Sequence, residues 1–190
     1  NEGKQIPINY GARLSGQLGN YELGFIQSNT KPAENMPGEN FTVARVKRAL
    51  LKQSYIGFVY TDRSSSKIKV DSSAMDQSLY GTDLNLKTSE FMGNKNLEFQ
   101  AFLVYNTAPR NKPNLNFSDL STRGFRLNYP NDIIRTHVSY RELGEMYNPA
   151  VGFSSRNGFK RIQPSLSYHP RPEKYEFIRQ IEFGIQYEYM

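Results

Sequence analysis

The sequence predicts an all-β fold of antiparallel strands that run up and down in chain order, and three observations predict it. First, apolar and polar residues alternate strictly over long runs. Phe125, Leu127 and Tyr129 oppose Arg126 and Asn128; Ile134, Thr136, Val138 and Tyr140 oppose Arg135, His137, Ser139 and Arg141. A period of two means a β-strand, because successive side chains point to opposite faces. Second, Gly- and Asn-containing turns separate these runs. Third, the connections alternate between short and long along the chain.

The first run covers Ile6 to Leu18, with Ile6, Ile8, Tyr10, Ala12, Leu14 and Leu18 on one face and Asn9, Arg13, Ser15 and Gln17 on the other. Gly11 and Gly16 lie inside it and mark close packing or curvature. Gly19-Asn20 makes the turn, since both residues tolerate positive φ. Tyr21, Leu23 and Phe25 begin the return strand. Lys31 to Glu39 holds two prolines and a glycine and predicts a loop. Phe41 to Leu51 is open to two readings, a basic amphipathic helix or a strand. Its neighbours are strands and it lacks an N-cap, so a strand with Arg45 and Lys47 on the polar face is preferred.

A turn near Lys52-Gln53 leads to Tyr55–Thr61, with Ile56, Phe58 and Tyr60 on the apolar face. Asp62 to Gln77, rich in Ser and Lys, predicts a loop. Leu79 to Thr88 predicts a strand, Gly93-Asn94-Lys95 a turn, and Leu97 to Tyr105 the return, whose polar face is interrupted by Phe102 and Val104. Thr107 to Leu120 predicts a loop and Gly144 to Gly158 another. Ile162 to Tyr168 and Ile181 to Tyr189 close the series. Pro164 sits inside the first of these, where it removes a ladder hydrogen bond, so a bulge is expected there.

Short turns at residues 19–20, 52–53, 93–95 and 130–132 alternate with long loops at 31–39, 62–77, 107–120 and 144–158. A soluble meander has no reason to keep its long loops at one end, whereas an outer-membrane barrel does. Strands of about 9–13 residues also suit a tilted crossing of the hydrocarbon layer. The expectation is therefore an up-and-down transmembrane β-barrel with a charged lumen, residues 1–190 forming a portion of about ten strands. Its partner would be outer-membrane lipid. A soluble β-sandwich binding domain is the rival, along with the non-catalytic part of a glycan-active hydrolase.

Composition narrows the classes. The mean hydropathy of −0.66 and the lack of any long apolar run exclude a helical membrane protein, which needs roughly 18 consecutive apolar residues. There are no cysteines, so neither a disulfide nor thiol chemistry is available. The net charge of +6 is spread without a basic block, which argues against nucleic acid. The chain starts at Asn1 and stops inside a strand pattern, as expected of an internal piece of a longer protein.

No constellation of catalytic residues emerges. His137 and His169 lie apart without metal-ligand spacing, and Glu142 and Glu145 flank a turn. Neither a metal nor a cofactor is expected. The polar face is the stronger candidate: Arg13, Arg45, Lys47, Arg126, Arg135 and Arg141 project into one interior, with Glu22, Asp83, Glu182 and Glu188 as partners. Such a lumen either selects polar solutes or is filled by its own salt-bridged side chains. The loop from Gly144 to Gly158 is the second candidate. There Tyr147 and Phe153 would stack on a sugar ring while Asn148 and Arg156 hydrogen-bond to it; alternatively, Asn148-Pro149 and Asn157-Gly158 only shape a rigid turn.

Three stretches carry a family resemblance: Gly-Glu-Met-Tyr-Asn-Pro-Ala-Val-Gly-Phe at Gly144–Phe153 with Arg156 and Gly158, Tyr10-Gly-Ala-Arg-Leu-Ser-Gly, and Asn40-Phe-Thr-Val-Ala-Arg-Val-Lys-Arg. The chain resembles the bacterial domain of unknown function that follows a family 9-type carbohydrate-binding module in large surface proteins, common in Bacteroidota. The resemblance implies a barrel in the bacterial outer membrane and an association with oligo- or polysaccharide. The module itself would lie upstream, so no sugar-binding or catalytic residue is carried over.

Overall fold

The computed structural model describes residues 5–33, 37–66, 76–109, 114–172 and 177–190. The other stretches, 1–4, 34–36, 67–75, 110–113 and 173–176, include parts of the expected loops and lie outside the described residues. The strands are β1 (Ile8–Leu18), β2 (Tyr21–Thr30), β3 (Gly38–Leu51), β4 (Ser54–Ser66) and β5 (Gln77–Phe91). They continue with β6 (Lys95–Asn106), β7 (Ser121–Pro130), β8 (Ile134–Leu143), β9 (Phe159–Tyr168) and β10 (Phe183–Gln186).

Each strand pairs antiparallel with the next, in the order β1 to β10, as one ten-stranded sheet. No ladder joins β10 to β1 among the described residues, so the sheet is open. The segment with two readings, Phe41 to Leu51, lies wholly within β3. β4 pairs with it through to Leu51, and β2 as far as Arg48. The sheet has no second layer among the described residues.

Several boundaries differ from expectation, and the end of β4 shows why. β4 runs on to Ser66, past Thr61, because Asp62 to Ser66 complete the ladder with β3. There the guanidinium of Arg63 holds Glu39 at 2.6 Å. Polar residues pair well at a strand end where no apolar face has to be covered.

The expected bulge at Pro164 is absent. The register of β8 with β9 passes through Val138↔Pro164 without a shift, because Pro164 turns its missing N–H towards β10. Its carbonyl, on the same side, accepts from Tyr187 N at 3.1 Å. The return bond has no donor, and β10 stops at Gln186. Beyond the gap, Ile162 and Tyr189 exchange both backbone bonds at 3.0 Å.

The register sorts the side chains into two faces. One row of directly opposite residues crosses the sheet as Leu14, Phe25, Ala44, Tyr60, Tyr80, Tyr105 and Ser121. A row on the other face runs Gln17, Glu22, Lys47, Gly57, Asp83, Phe102, Gly124, Arg141 and Arg161.

Among the described residues, burial of large hydrophobics is confined to the long-loop end, although polar Ser54, Asn131 and His169 are buried at the short-turn end. Leu79 and Leu120 are the only buried large hydrophobics among the described residues. Leu120 belongs to a knot under the long loops, where Asn106 N donates to Leu120 O at 3.0 Å and Gly144 N to Ser121 O at 2.8 Å. A Cβ at Gly144 would collide with the carbonyls of Ser118 and Asp119, so only glycine lets the two long loops meet there.

Candidate functional site

The apolar face is bare. Leu14, Leu23, Val46, Phe58, Leu127, Leu166 and Ile185 are exposed across the full width of the sheet. Aromatic rings frame this band at both ends. Towards the long loops, Tyr60 and Tyr80 lie 5.2 Å apart and Phe125 and Tyr140 6.1 Å apart. Just beyond them polar groups resume, with Ser78 Oγ on Asp62 at 2.6 Å and Arg123 and Lys160 on Glu142 at 3.0 and 3.5 Å. Towards the short turns stand Tyr168, Tyr129 with Phe91 at 6.4 Å, and Tyr21 with Arg48 over its ring at 5.6 Å.

The opposite face is charged. Arg45 pairs with Asp83 at 2.6 Å, Lys47 with Glu22 at 2.8 Å and Lys87 with Glu98 at 3.2 Å. These pairs are part-exposed, and each contributes about 0.2–1 kcal/mol. Gly57 and Gly81 make room between them. A Cβ on Gly57 would lie 2.5 Å from Arg45 Nη2, and one on Gly81 would lie 2.6 Å from Val59 Cγ1. Phe102, which breaks the polar alternation of β6, covers Gly124, where a Cβ would meet its ring at 2.9 Å. Val104 likewise closes on Gly81 at 3.2 Å. These apolar exceptions pack over glycines on the charged face.

Of the residues expected in the interior, Arg13, Arg45, Lys47, Arg126, Arg135 and Arg141 all share this one face. Arg45 and Lys47 are ion-paired. Arg135 donates from Nε to Asn131 O at 3.3 Å, at the short-turn end. Arg13 lies on the edge strand opposite Ile26. Arg126 and Arg141 border a hollow of about 210 Å3 with Gln100, Ser139, Arg161 and Gln163. Arg161 escaped the sequence reading because the run starting at Ile162 began one residue too late. Its alternation with Gln163 and Ser165 was the available signal. Of the expected acids, Glu182 lies by His169 instead, at 3.8 Å. His137 Nδ1 and Ser165 Oγ hydrogen-bond at 2.6 Å, but no carboxylate among the described residues orients the ring.

The loop from Gly144 to Gly158 folds over Asn106, whose Oδ1 accepts from Asn148 N at 3.1 Å. The Asn148 carbonyl oxygen Oδ1 accepts from Ala150 N at 3.0 Å, which turns the chain and holds Ala150 at φ 54°. Asn157, which the sequence offered only as a turn former, ties the loop: it donates from Nδ2 to Tyr147 O at 2.6 Å and accepts from Ser154 Oγ at 2.8 Å. A hollow of about 400 Å3 lies among Tyr147, Asn148, Phe153 and Asn157. Tyr147 is half-buried, and burial pushes its phenol above the ordinary value. Phe153 is 90% exposed. Arg156 points elsewhere, its guanidinium 5.9 Å from the Phe159 ring centre. The sheet thus offers a cationic hollow on one face and an aromatic one at the loop end.

Comparison of the chain with protein-family models, with curated proteins and with solved structures gave no match.

Proposed function

We propose that this chain is part of the wall of an outer-membrane β-barrel in a carbohydrate-associated surface or transport protein, and that the segment binds or guides solute without catalysing a reaction. One observation carries the reading: the apolar face has nothing over it. A water-soluble domain of this length buries most of its large hydrophobics, and here Leu79 and Leu120 alone are buried among the described residues. Acyl chains supply the missing cover. The aromatic rings at both ends of the band match the girdles of barrels at their two interfaces. The charged face would then line an aqueous lumen, and short turns at one end with long loops at the other suit the periplasmic and outer sides.

The link to carbohydrate and to the bacterial outer membrane rests on the resemblance of Gly144–Phe153, Tyr10–Gly16 and Asn40–Arg48. The hollow under Phe153 supports it, since an exposed ring beside amide groups is how proteins meet the apolar face and hydroxyls of a sugar.

Extraction tests the reading. The full-length protein should stay with membranes through salt and carbonate washing, come off in detergent, and migrate differently on gels when unheated. Release into the aqueous fraction by carbonate would refute the barrel.

A further inference from the structure

The charged face is electrically uneven. Along the row from Gln17 to Arg161, the cations and acids of the first half are engaged with one another: Lys47 with Glu22, and Asp83 with Arg45 from the adjacent row. In the second half the balance fails. Arg141 stands directly opposite Arg161, and Arg126, opposite Ser139, is diagonal to Arg141. No carboxylate among the described residues pairs with any of the three. Of the acids on this face, Glu98 is held by Lys87, while Glu188 keeps its charge and hydrogen-bonds the neutral amide of Gln163 and no guanidinium. Glu142, close in sequence, belongs to the opposite face and holds Arg123.

Like charges directly opposite on a sheet destabilise it. Three guanidinium groups with no carboxylate paired to any of them, and only Glu188 on the neighbouring amide of Gln163, leave a net positive place for an anion from solution. The hollow they border, about 210 Å3, also carries Gln100, Ser139 and Gln163. A guanidinium is a planar fork that meets the two oxygens of an oxyanion at once. The neutral amides and hydroxyl suit the hydroxyls beside such a group.

We infer that this hollow is a binding site for the oxyanion group, carboxylate or sulfate, of an acidic saccharide. The site depends on the barrel reading for its access from an aqueous lumen, and on the three arginines for its chemistry. Its selectivity is for charge first: an acidic sugar binds and a neutral one of equal size does not. Added salt weakens binding by screening.

Calorimetric titration of the detergent-solubilised full-length protein tests this with trigalacturonate, inorganic sulfate and maltotriose as probes. Trigalacturonate should bind, sulfate should compete with it, and maltotriose should give no heat. Arg161→Gln and Arg141→Gln should each weaken trigalacturonate roughly tenfold, the loss of one charge-assisted hydrogen bond. Arg161→Lys should fall between, keeping the charge without the fork. Arg48→Gln on the apolar face should change nothing. Arg161→Gln should also raise the melting temperature of the ligand-free protein by relieving repulsion, an effect opposite to that of losing a structural residue. Equal binding of maltotriose, or full trigalacturonate affinity in both glutamine variants, would overturn the inference. So would sulfate failing to compete. Carbonate release of the protein would instead overturn the barrel reading, and the titrations would still decide the site.

Discussion

Arg45 and Asp83 meet at 2.6 Å across a strand that belongs to neither of them. β4 lies between β3 and β5, and the residue beneath the contact is Gly57. A Cβ there would sit 2.5 Å from Arg45 Nη2 and 2.7 Å from Asp83 Oδ1. The bare backbone is what lets the ion pair lie flat.

This contact predicts a coupling. Gly57→Ala should displace the pair and cost about 1 kcal/mol or less, because both side chains are part-exposed and the guanidinium end can move. Asp83→Asn should cost a similar amount. The double variant should cost no more than the larger single one, since the second change removes a contact already lost. Folding titrations of the three variants measure this, and simple additivity would show that Gly57 and the ion pair act independently.

The apolar face predicts an insensitivity to shape. Phe58 is 62% exposed in the middle of its band. Against acyl chains, Phe58→Trp should leave stability nearly unchanged, because fluid lipid moves aside. Against a packed protein layer the added volume would cost about 1–3 kcal/mol. Phe58→Arg should cost about 2–4 kcal/mol in a bilayer. Unfolding in lipid vesicles separates these outcomes.

Tyr147 predicts a loss of loop order at high pH. Burial disfavours its phenolate, so its folded-state value lies above the ordinary 10.0. The raised value means the folded loop holds the proton more tightly. That contribution is complete below the ordinary value and is lost as pH rises past it through the folded-state value. Proteolysis of the loop should therefore accelerate above about pH 10, in step with tyrosinate absorbance. Tyr147→Phe should remove that step.

Pro164 predicts a gain. Pro164→Ala would provide the donor that Tyr187 O lacks and join β10 to the Ile162–Tyr189 bridge. The new bond should contribute about 0.5–1.5 kcal/mol, partly offset by the greater freedom of the unfolded chain. Amide exchange at Tyr187 and Tyr189 should slow. Unchanged exchange would mean that something other than the missing N–H ends β10.

The faces were legible in the sequence because a period of two leaves no freedom: once Phe125 points one way, Arg126 points the other. That placed Arg126, Arg135 and Arg141 on one side before any contact was known. Partners were not legible. Asp83 was expected as an acid for the cluster, but its choice of Arg45 depends on Gly57 and on the register of two ladders, neither of which leaves a local mark. The tail of β4 was hidden for a related reason. Arg63 to Ser65 show no apolar alternation, and only pairing with Glu39 and its neighbours makes them a strand. Loop side chains were the least legible. Arg156 turns to Phe159 and away from Tyr147, a direction set by the fold of the whole loop and not by spacing.

In the proposed barrel wall, one face of this sheet meets lipid and the other meets water. The chain contains no cysteine, so single cysteines carrying an environment-sensitive fluorophore can be placed at each position from Phe125 to Tyr129 in the full-length protein. In vesicles whose acyl chains carry a quencher, labels at Phe125, Leu127 and Tyr129 should be quenched strongly and labels at Arg126 and Asn128 weakly. Equal quenching at all five, or the reverse alternation, would contradict a lipid-facing wall.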